Sequence, residues 1–412
     1  HEDCVIATLI DQETGERHSL RASYMIGADG CESDVRRQMG IAMRGVPHLD
    51  TSLNVEIDVL DVGHFSELHS LGNGSRYAVV GPQGLWATFI PLDGLNFWRM
   101  TLYGANDIDV DAIDIHTALL KVVGRPFKYS VRSVGKWTRR MIVADRFQDG
   151  RVFLAGDSAH THPPNGGFGM NTGIGDVTNL GWKLAACLQG WGGEDLLASY
   201  DIERRPVCHR AANESLTNYY RLTGKTAHPA IEDKTAQGDE VRAALGRQLK
   251  EQNTKAWQPV GIHLGYTYEP SPLVLCENTP APVDDTIGYV PGTRPGVRAP
   301  HFWLAEGKSV LDLFGEGFTL LDFSGCPGLS LFEGHAREQR MPLAVHRIDN
   351  AEGAALYEAP LVLVRPDGHV CWRGASVPQN VGAILRRVRG ADGLVAARWA
   401  AAMQPADAAQ AV

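Results

Sequence analysis

The stretch of this 412-residue chain best suited to chemistry is RVFLAGDSAHTHPPNGGFGMNTGIGDVTNLGWKLA, residues 151–185. Its opening, 151–155, reads as a buried strand that delivers Gly156 and Asp157 to the carboxyl end. That is the edge at which open α/β sheets bind ligands. Asp157 can accept hydrogen bonds there from ligand hydroxyls. Pro163 and Pro164 stiffen the loop, and Gly166, Gly167 and Gly169 let backbone approach a flat ligand closely. A helix starting near Met170 and Asn171 then offers free N–H groups and the positive end of its dipole. Such an end stabilises negative charge developing on a reduced ring system. A GGFG alone also occurs in ordinary strand–loop–helix turns, so the weight rests on the whole string.

A second string, YMIGADGCESDVRRQMGI, residues 24–41, repeats the theme. A strand ends in Gly-x-Asp-Gly and opens a short helix whose amide end can face an anion, with Arg36 and Arg37 adding positive charge. Other groupings carry less. His160-x-His162 lacks a clear third ligand, so no metal is assigned. Asp157, Ser158 and His160 are hydrolase-type residues without the G-x-S-x-G elbow. Arg139-Arg140 and the arginines at 386, 387 and 389 read as solvated faces. Of Trp86, Phe89, Phe97, Trp98 and Tyr103, strand alternation should turn about half toward a pocket.

These groups need elements to hold them. Residues 4–10 read as a strand that turns at 11–15 and returns through 23–26. Short strands at 52–58, 77–80, 85–90 and 97–103, a long one over 127–143, and a helix at 110–122 predict an antiparallel or mixed sheet. Helices follow at 170–188, at 196–222 with Pro206 placed to kink or interrupt it, and at 230–251. Dense Pro and Gly mark 256–305 as a linker. Beyond it come a strand at 318–322, a hairpin over 361–373 and a helix at 379–389. The Ala-rich tail after Gln404 is expected to fray.

The string at 151–185 closely resembles the second FAD-binding motif of class A flavoprotein monooxygenases, the aromatic hydroxylases related to p-hydroxybenzoate and phenol hydroxylase. The string at 24–41 is similar to that family's DG motif. YDIERRP at 200–206 resembles the helix that follows the flavin motif in these hydroxylases. GYTYEPSPLV at 265–274 and YVPGTRPGVRAPHFWL at 289–304 are similar to the linker of the phenol and dichlorophenol hydroxylase branch, and LVRPDGHVCWRG resembles part of that branch's C-terminal domain. The resemblance implies an α/β fold: a partial FAD-binding Rossmann-like domain, an inserted mixed β-sheet substrate domain and a C-terminal thioredoxin-like domain. It divides the chain into 1–50 and 146–255 for FAD, 51–145 for substrate, a linker at 256–305, the thioredoxin-like domain at 306–390 and a tail at 391–412. It implies that Asp157 contacts the ribityl chain, with Gly156 in the same turn, and that Pro163 and Pro164 lie beside the isoalloxazine. Gly166, Gly167, Gly169, Met170 and Asn171 then form the loop and helix start that meet the flavin, and Asp29, Gly30 and Arg36 complete the cofactor set. Cys31 and Glu32 depart from the small residue and Arg or Lys common after the DG.

The activity implied is hydroxylation of a phenolic substrate with FAD, NAD(P)H and O2 by way of a flavin hydroperoxide, ortho to the phenol. Dimerisation is an expectation from the resemblance alone. The thioredoxin-like domain has Cys326-Pro327-Gly328-Leu329 without a second Cys, so dithiol exchange is not expected. No complete GxGxxG occurs in the chain, and its opening HEDCVIATLI suggests a fragment of a longer enzyme. The rival readings are a non-catalytic scaffold that no longer binds FAD and a flavin monooxygenase of another reaction, Baeyer–Villiger or polyketide tailoring. Net charge of −9 disfavours nucleic acid, and no uninterrupted apolar run is long enough to span a membrane. Seven scattered Cys suit the reducing cytoplasm.

Overall fold

The computed structural model describes residues 3–61, 74–104, 113–223 and 227–395. β1 (Val5–Ile10) and β2 (Arg17–Ala22) form an antiparallel hairpin across the Asp11–Gly15 turn. The returning strand is therefore earlier than the 23–26 expected. β3 (Met25–Gly27) instead starts a different sheet and leads to the short helix α1 (Asp34–Gln38).

The next strands build the largest sheet: β4 (Met43–Val59), β5 (Tyr77–Gly81), β6 (Gly84–Pro91), β7 (Phe97–Leu102) and, after helix α2 (Ile115–Val123), β8 (Tyr129–Ala144). The helix expected from 110 thus starts at Ile115, and 110–112 lie outside the described residues. β9 (Gln148–Asp149) and β10 (Val152–Leu154) follow, then β11 (His160–Thr161). The large sheet runs β11-β8-β4-β7-β6-β5, antiparallel throughout. A second sheet runs β3-β10-β9, with β3 and β10 parallel.

Register explains the two faces of the large sheet. Val55, Met100 and Phe89 stand opposite one another, as do Ile57 and Trp98, and these residues bury with Leu119 of α2. The other face carries Asn54, Thr101 and Thr88 in one row, and Glu56, Arg99 and Ile90 in the next. Phe89 and Trp98 stack at 4.6 Å inside the apolar face. They are core residues, so that face, and not a pocket, takes these two aromatics.

Three long helices follow: α3 (Phe168–Leu188), which itself belongs to the 151–185 string, α4 (Glu194–Thr223) and α5 (Ala236–Trp257), with short α6 (Val260–Leu264) after them. α4 runs through Pro206 without interruption, although proline removes one helix hydrogen bond. The C-terminal part holds the small pair β12 (Trp303–Ala305) and β13 (Lys308–Ser309). β14 (Phe318–Asp322), helix α7 (Ser330–Glu338), β15 (Leu343–Arg347), helix α8 (Ala351–Tyr357), β16 (Leu361–Val364), β17 (Val370–Gly374) and helix α9 (Val381–Val388) complete it. Its sheet order is β15-β14-β16-β17, parallel between β14 and β15 and antiparallel elsewhere. This sheet joins α3 and α4 through one apolar cluster in which Trp191 and Leu196 meet Phe318 and Leu385. The frayed tail expected after Gln404 lies outside the described residues.

Candidate active site

The two glycine–aspartate strings lie side by side because β3 pairs with β10. Ser158 Oγ donates to the Gly27 carbonyl at 2.6 Å, and Arg36 Nη1 donates to the carbonyls of Cys31 and Ser158, both at 3.1 Å. Arg36 is buried, so its guanidinium turns inward as a brace between the two strings. The start of α1 is closed in the same way. Ser33 Oγ accepts from the Arg36 amide and Asp29 Oδ2 from the Val35 amide at 3.1 Å. Partial burial raises the Asp29 carboxyl, but the bonds from Ser33 and the Val35 amide outweigh it and hold its pKa below the ordinary value. Gly30 supplies the positive φ (83°) that starts the turn.

The start of α3 is the opposite case. Its N-cap is Gly167 at φ 71°, no side chain caps it, and no acidic residue occupies its first turn. Met170 and Asn171 are exposed there, and Asn171 Nδ2 donates back to the Gly167 carbonyl at 2.8 Å. Gly169 lies beside His162. A Cβ on Gly166 would fall 2.5 Å from the buried Phe168 ring, so only glycine fits at its φ of 106°. Gly156, also at positive φ, anchors its amide on Asp176 Oδ2 at 3.1 Å. The adjoining Asp157 is exposed in a 3-10 turn, and none of the hydrogen bonds or ion pairs found among the described residues engages its carboxylate. Pro163 is buried and Pro164 exposed, so the pair offers one ring to the surface. An uncapped helix start, a glycine cradle and a carboxylate without a partner fit the ribityl and ring portion of FAD.

Beneath this loop is a packed polar layer. His160 Nε2 meets Asp176 Oδ2 at 2.7 Å and Arg204 Nε meets Asp176 Oδ1 at 2.9 Å. Burial opposes ionisation of Asp176, but Arg204 and then His160 lower its pKa. Cys208 also lies near this carboxylate, and burial pushes its thiol well up. The three side chains His160, Asp176 and Cys208 have ligand-type spacing. The Arg204 guanidinium already occupies Asp176, and a protonated thiol is a poor ligand. Burial, then His160, pushes His162 down to about 4, so it is neutral, with Nδ1 3.1 Å from Ser215 Oγ.

The same loop forms one wall of a chamber of about 490 Å³. Asn165 and Gly166 line it from the loop, Thr88 and Ile90 from the polar face of the sheet, and Asn218 and Arg221 from α4. Arg76 enters from the segment before β5, with Nη2 2.8 Å from the Tyr103 hydroxyl. Among the described residues, Thr88 Oγ1, Asn165 Oδ1 and Asn218 Nδ2 are buried without hydrogen-bond partners. Arg139, expected at a solvated face, is 3% exposed and pairs with Asp50, which also accepts from Tyr219 of α4 at 3.1 Å. That contact fixes α4 over the sheet.

A buried charge group, not apparent from the sequence, ties the C-terminal part to this region. Glu203 accepts from Arg365 at 2.6 and 2.8 Å, from Lys183 at 2.7 Å and from Ser271 at 2.6 Å. Arg365 also bonds Asp367, and Asp367 accepts from Trp182 at 3.1 Å. The residues are 20 and 162 positions apart along the chain, beyond the reach of local patterning.

The sheet-covered chamber, the open helix start beside it and the two paired strings define an FAD-dependent aromatic-ring hydroxylase. The chain belongs to that family: its residues 1–215 match the FAD binding domain model, and residues 292–391 match that of the aromatic-ring hydroxylase C-terminal domain. It is 32% identical over 388 residues to the FAD-dependent monooxygenase opdD of Penicillium oxalicum, covering 88% of this chain and 73% of that one. It is 32% identical over 436 residues to the 2,4-dichlorophenol 6-monooxygenase of Delftia acidovorans, covering 93% and 72%. The rebeccamycin biosynthetic enzyme RebC with reduced flavin superposes with a TM-score of 0.87 at 37% identity, over 95% of this chain and 72% of that one. Among the curated relatives the chain spans between 62% and 73% of their length. No helix among the described residues is long and apolar enough to cross a membrane.

Proposed function

We propose that this chain hydroxylates the ring of a phenolic substrate, using NAD(P)H and O2, in the chamber between the large sheet and α4. One observation carries the reading: the Asn165–Gly166 loop lines the chamber and leads directly into the uncapped start of α3. A flavin held by that start is placed at the chamber wall.

In this reading Asp157 accepts from the ribityl hydroxyls, with Gly156 setting its turn. Gly166 and Gly167 give the flavin ring its backbone wall, Pro164 covers it, and Pro163 packs behind. The amides of Gly169, Met170 and Asn171 meet its pyrimidine edge, where the helix dipole favours negative charge. Asp29, Gly30 and Arg36 hold the neighbouring turn in shape and act through position. When bound, FAD supplies two-electron reduction by NAD(P)H and activation of O2. The chain's own residues position the substrate ring and, with α4 and the sheet closing the chamber, exclude water. The scattered free cysteines support a cytoplasmic location, and family resemblance supports a homodimer.

Absorbance titration with FAD tests the reading. Saturable binding that Asp157→Ala weakens by about 10-fold, the worth of a charged hydrogen bond, is the expected result. Equal binding by Asp157→Ala removes Asp157 from the site, and absence of any binding by the parent chain overturns the proposal.

A further inference from the structure

A second cavity, of about 460 Å³, opens beside the first two turns of α3. It shares no lining residue with the chamber. Phe168, Thr172 and Gly175 face it from α3, at the four-and-three spacing of one helix face. Arg204 of α4 forms another wall. Arg204 is 1% exposed, and its guanidinium is held at three points. Nε donates to Asp176 Oδ1 at 2.9 Å, Nη2 to the Thr172 carbonyl at 3.0 Å and Nη1 to the Tyr268 hydroxyl at 3.2 Å. Those bonds use three of five N–H groups, so Nη1 and Nη2 each keep one. Gly175 makes room for this guanidinium, since a Cβ there would stand 2.7 Å from Arg204 Nη2.

Arg298 lines the same cavity from the segment before β12, where its backbone bridges to His369. Among the described residues no hydrogen bond or ion pair engages the Arg298 guanidinium. Asp176 already meets the charge of Arg204, so Arg298 offers the charge and Arg204 the directed donors. Rings complete the lining. His263 lies edge-on to the buried Phe168 with centroids 5.4 Å apart, and the Arg204 guanidinium lies 5.7 Å from the Tyr266 ring. Burial pushes His263 below its ordinary value, so near neutral pH it presents an uncharged ring.

Two guanidinium groups with spare N–H donors suit the oxygens of a phosphate, and ring walls suit a flat heterocycle. We propose that this cavity binds a mononucleotide unit, its base among Phe168, His263 and Tyr266 and its phosphate on Arg298 and Arg204. The volume is within the range of small-ligand sites. Two sources carry that unit, a free nucleotide and the pyridine nucleotide NAD(P)H, and their recognition chemistry here is the same. The inference does not depend on the chamber being the substrate site.

Calorimetric titration of the full chain, without FAD and with saturating FAD, tests this with matched probes: AMP against adenosine, and nicotinamide mononucleotide against nicotinamide riboside. The nucleotides are expected to bind about 10- to 100-fold more tightly than the nucleosides, the worth of charge-assisted hydrogen bonds. Arg298→Met should bring the nucleotides down to the nucleoside level and leave the nucleosides as they were, while Arg298→Lys, which keeps the charge, should retain part of the preference. Ala211→Leu puts extra volume into the cavity from α4 and should weaken nucleotide and nucleoside alike, with thermal unfolding confirming a folded chain. Competition with NADH and NADPH separates the sources: displacement of AMP assigns the site to the co-substrate, and failure to displace it assigns the site to a free nucleotide. Equal binding of nucleotide and nucleoside, no binding of any probe, or affinities untouched by Arg298→Met overturns the inference. So does displacement of AMP by FAD, which would make the cavity part of the flavin site.

Discussion

Replacing Arg365 by methionine tests how the C-terminal part is held. In the parent structure the buried group is electrically balanced: Lys183 and Arg365 against Glu203 and Asp367, all with side chains 0–1% exposed. Burial favours the neutral forms of both acids, but Arg365 outweighs it and lowers both carboxyls well below their usual range. Burial, acting first, pushes the neighbouring His369 down, so it adds no full charge. Arg365 alone chelates both carboxylates, with Nη1 and Nη2 on Glu203 and Nη2 and Nε on Asp367. Methionine fills similar space but leaves Lys183 as the single cation for two buried anions. One uncompensated buried charge costs about 3–5 kcal/mol. That is a large part of a typical total stability of roughly 5–15 kcal/mol. At about 2–4 °C per kcal/mol for a domain of this size, the melting point should fall by roughly 6–20 °C. Urea and thermal unfolding at neutral pH measure this. Fluorescence of Trp182 gives a local signal, since its ring lies 5.2 Å from the Arg365 guanidinium and its Nε1 bonds Asp367. The double variant Arg365→Met/Asp367→Asn restores the balance of charge and should recover at least half of the loss. A cost under about 1 kcal/mol, or a double variant no better than the single, refutes the argument from a balanced buried group.

Lys183 is pushed down to about 8, by burial first, against the attraction of Glu203. Between about pH 8 and its ordinary value of 10.5 the unfolded chain binds more protons than the folded one, so stability rises with pH across that window. Urea midpoints at pH 7.5 and 9.5 should show the rise, and Lys183→Met should abolish it. Gly166→Ala forces a Cβ to 2.5 Å from Phe168 at a positive φ and should cost roughly 1–3 kcal/mol. It should also displace the loop that leads into α3, weakening FAD binding in the same absorbance titration. Arg36→Met removes the bonds to the Cys31 and Ser158 carbonyls and should lower stability by about 1.5–3 kcal/mol. Loss of FAD affinity in that variant with unchanged unfolding would show instead that Arg36 touches the cofactor.

What was legible in the sequence follows the range of the forces involved. The start of α3 lies two residues from the expected position because glycines at 166 and 167 are demanded by local backbone geometry. The hairpin across Pro366-Asp367-Gly368 was readable for the same reason, and β14 has the limits expected from its apolar run. Long-range choices were hidden. Which face of the sheet takes Phe89 and Trp98 depends on α2, and the burial of Arg139 depends on Asp50, 89 residues earlier. The inward turn of Arg36 depends on a carbonyl 122 residues away. Asp367 reads locally as a turn residue, and nothing near it announces Arg365, Glu203 and Lys183 as one group.

The Gly156–Ser158 turn links these parts in a way that bears on chemistry. The strand before it, β10, pairs in parallel with β3 in the small mixed sheet. The strand after it, β11, pairs with β8 at the edge of the large sheet, His160 opposite Val143. The Gly156–Ser158 turn and the large sheet are therefore consecutive pieces of one hydrogen-bonded chain, with no linker between them. Just beyond, Pro163 and Pro164 limit the backbone freedom of the loop that carries Asn165 and Gly166 to the chamber wall. The buried side chains underneath, Asp176 with His160 and Arg204, anchor the Gly156 amide to α3 and α4. Oxygen transfer requires reacting atoms held to within a fraction of an ångström. The architecture meets that demand by making the turn before the Asn165–Gly166 loop continuous with the large sheet, so a molecule seated against that sheet is fixed relative to the start of α3.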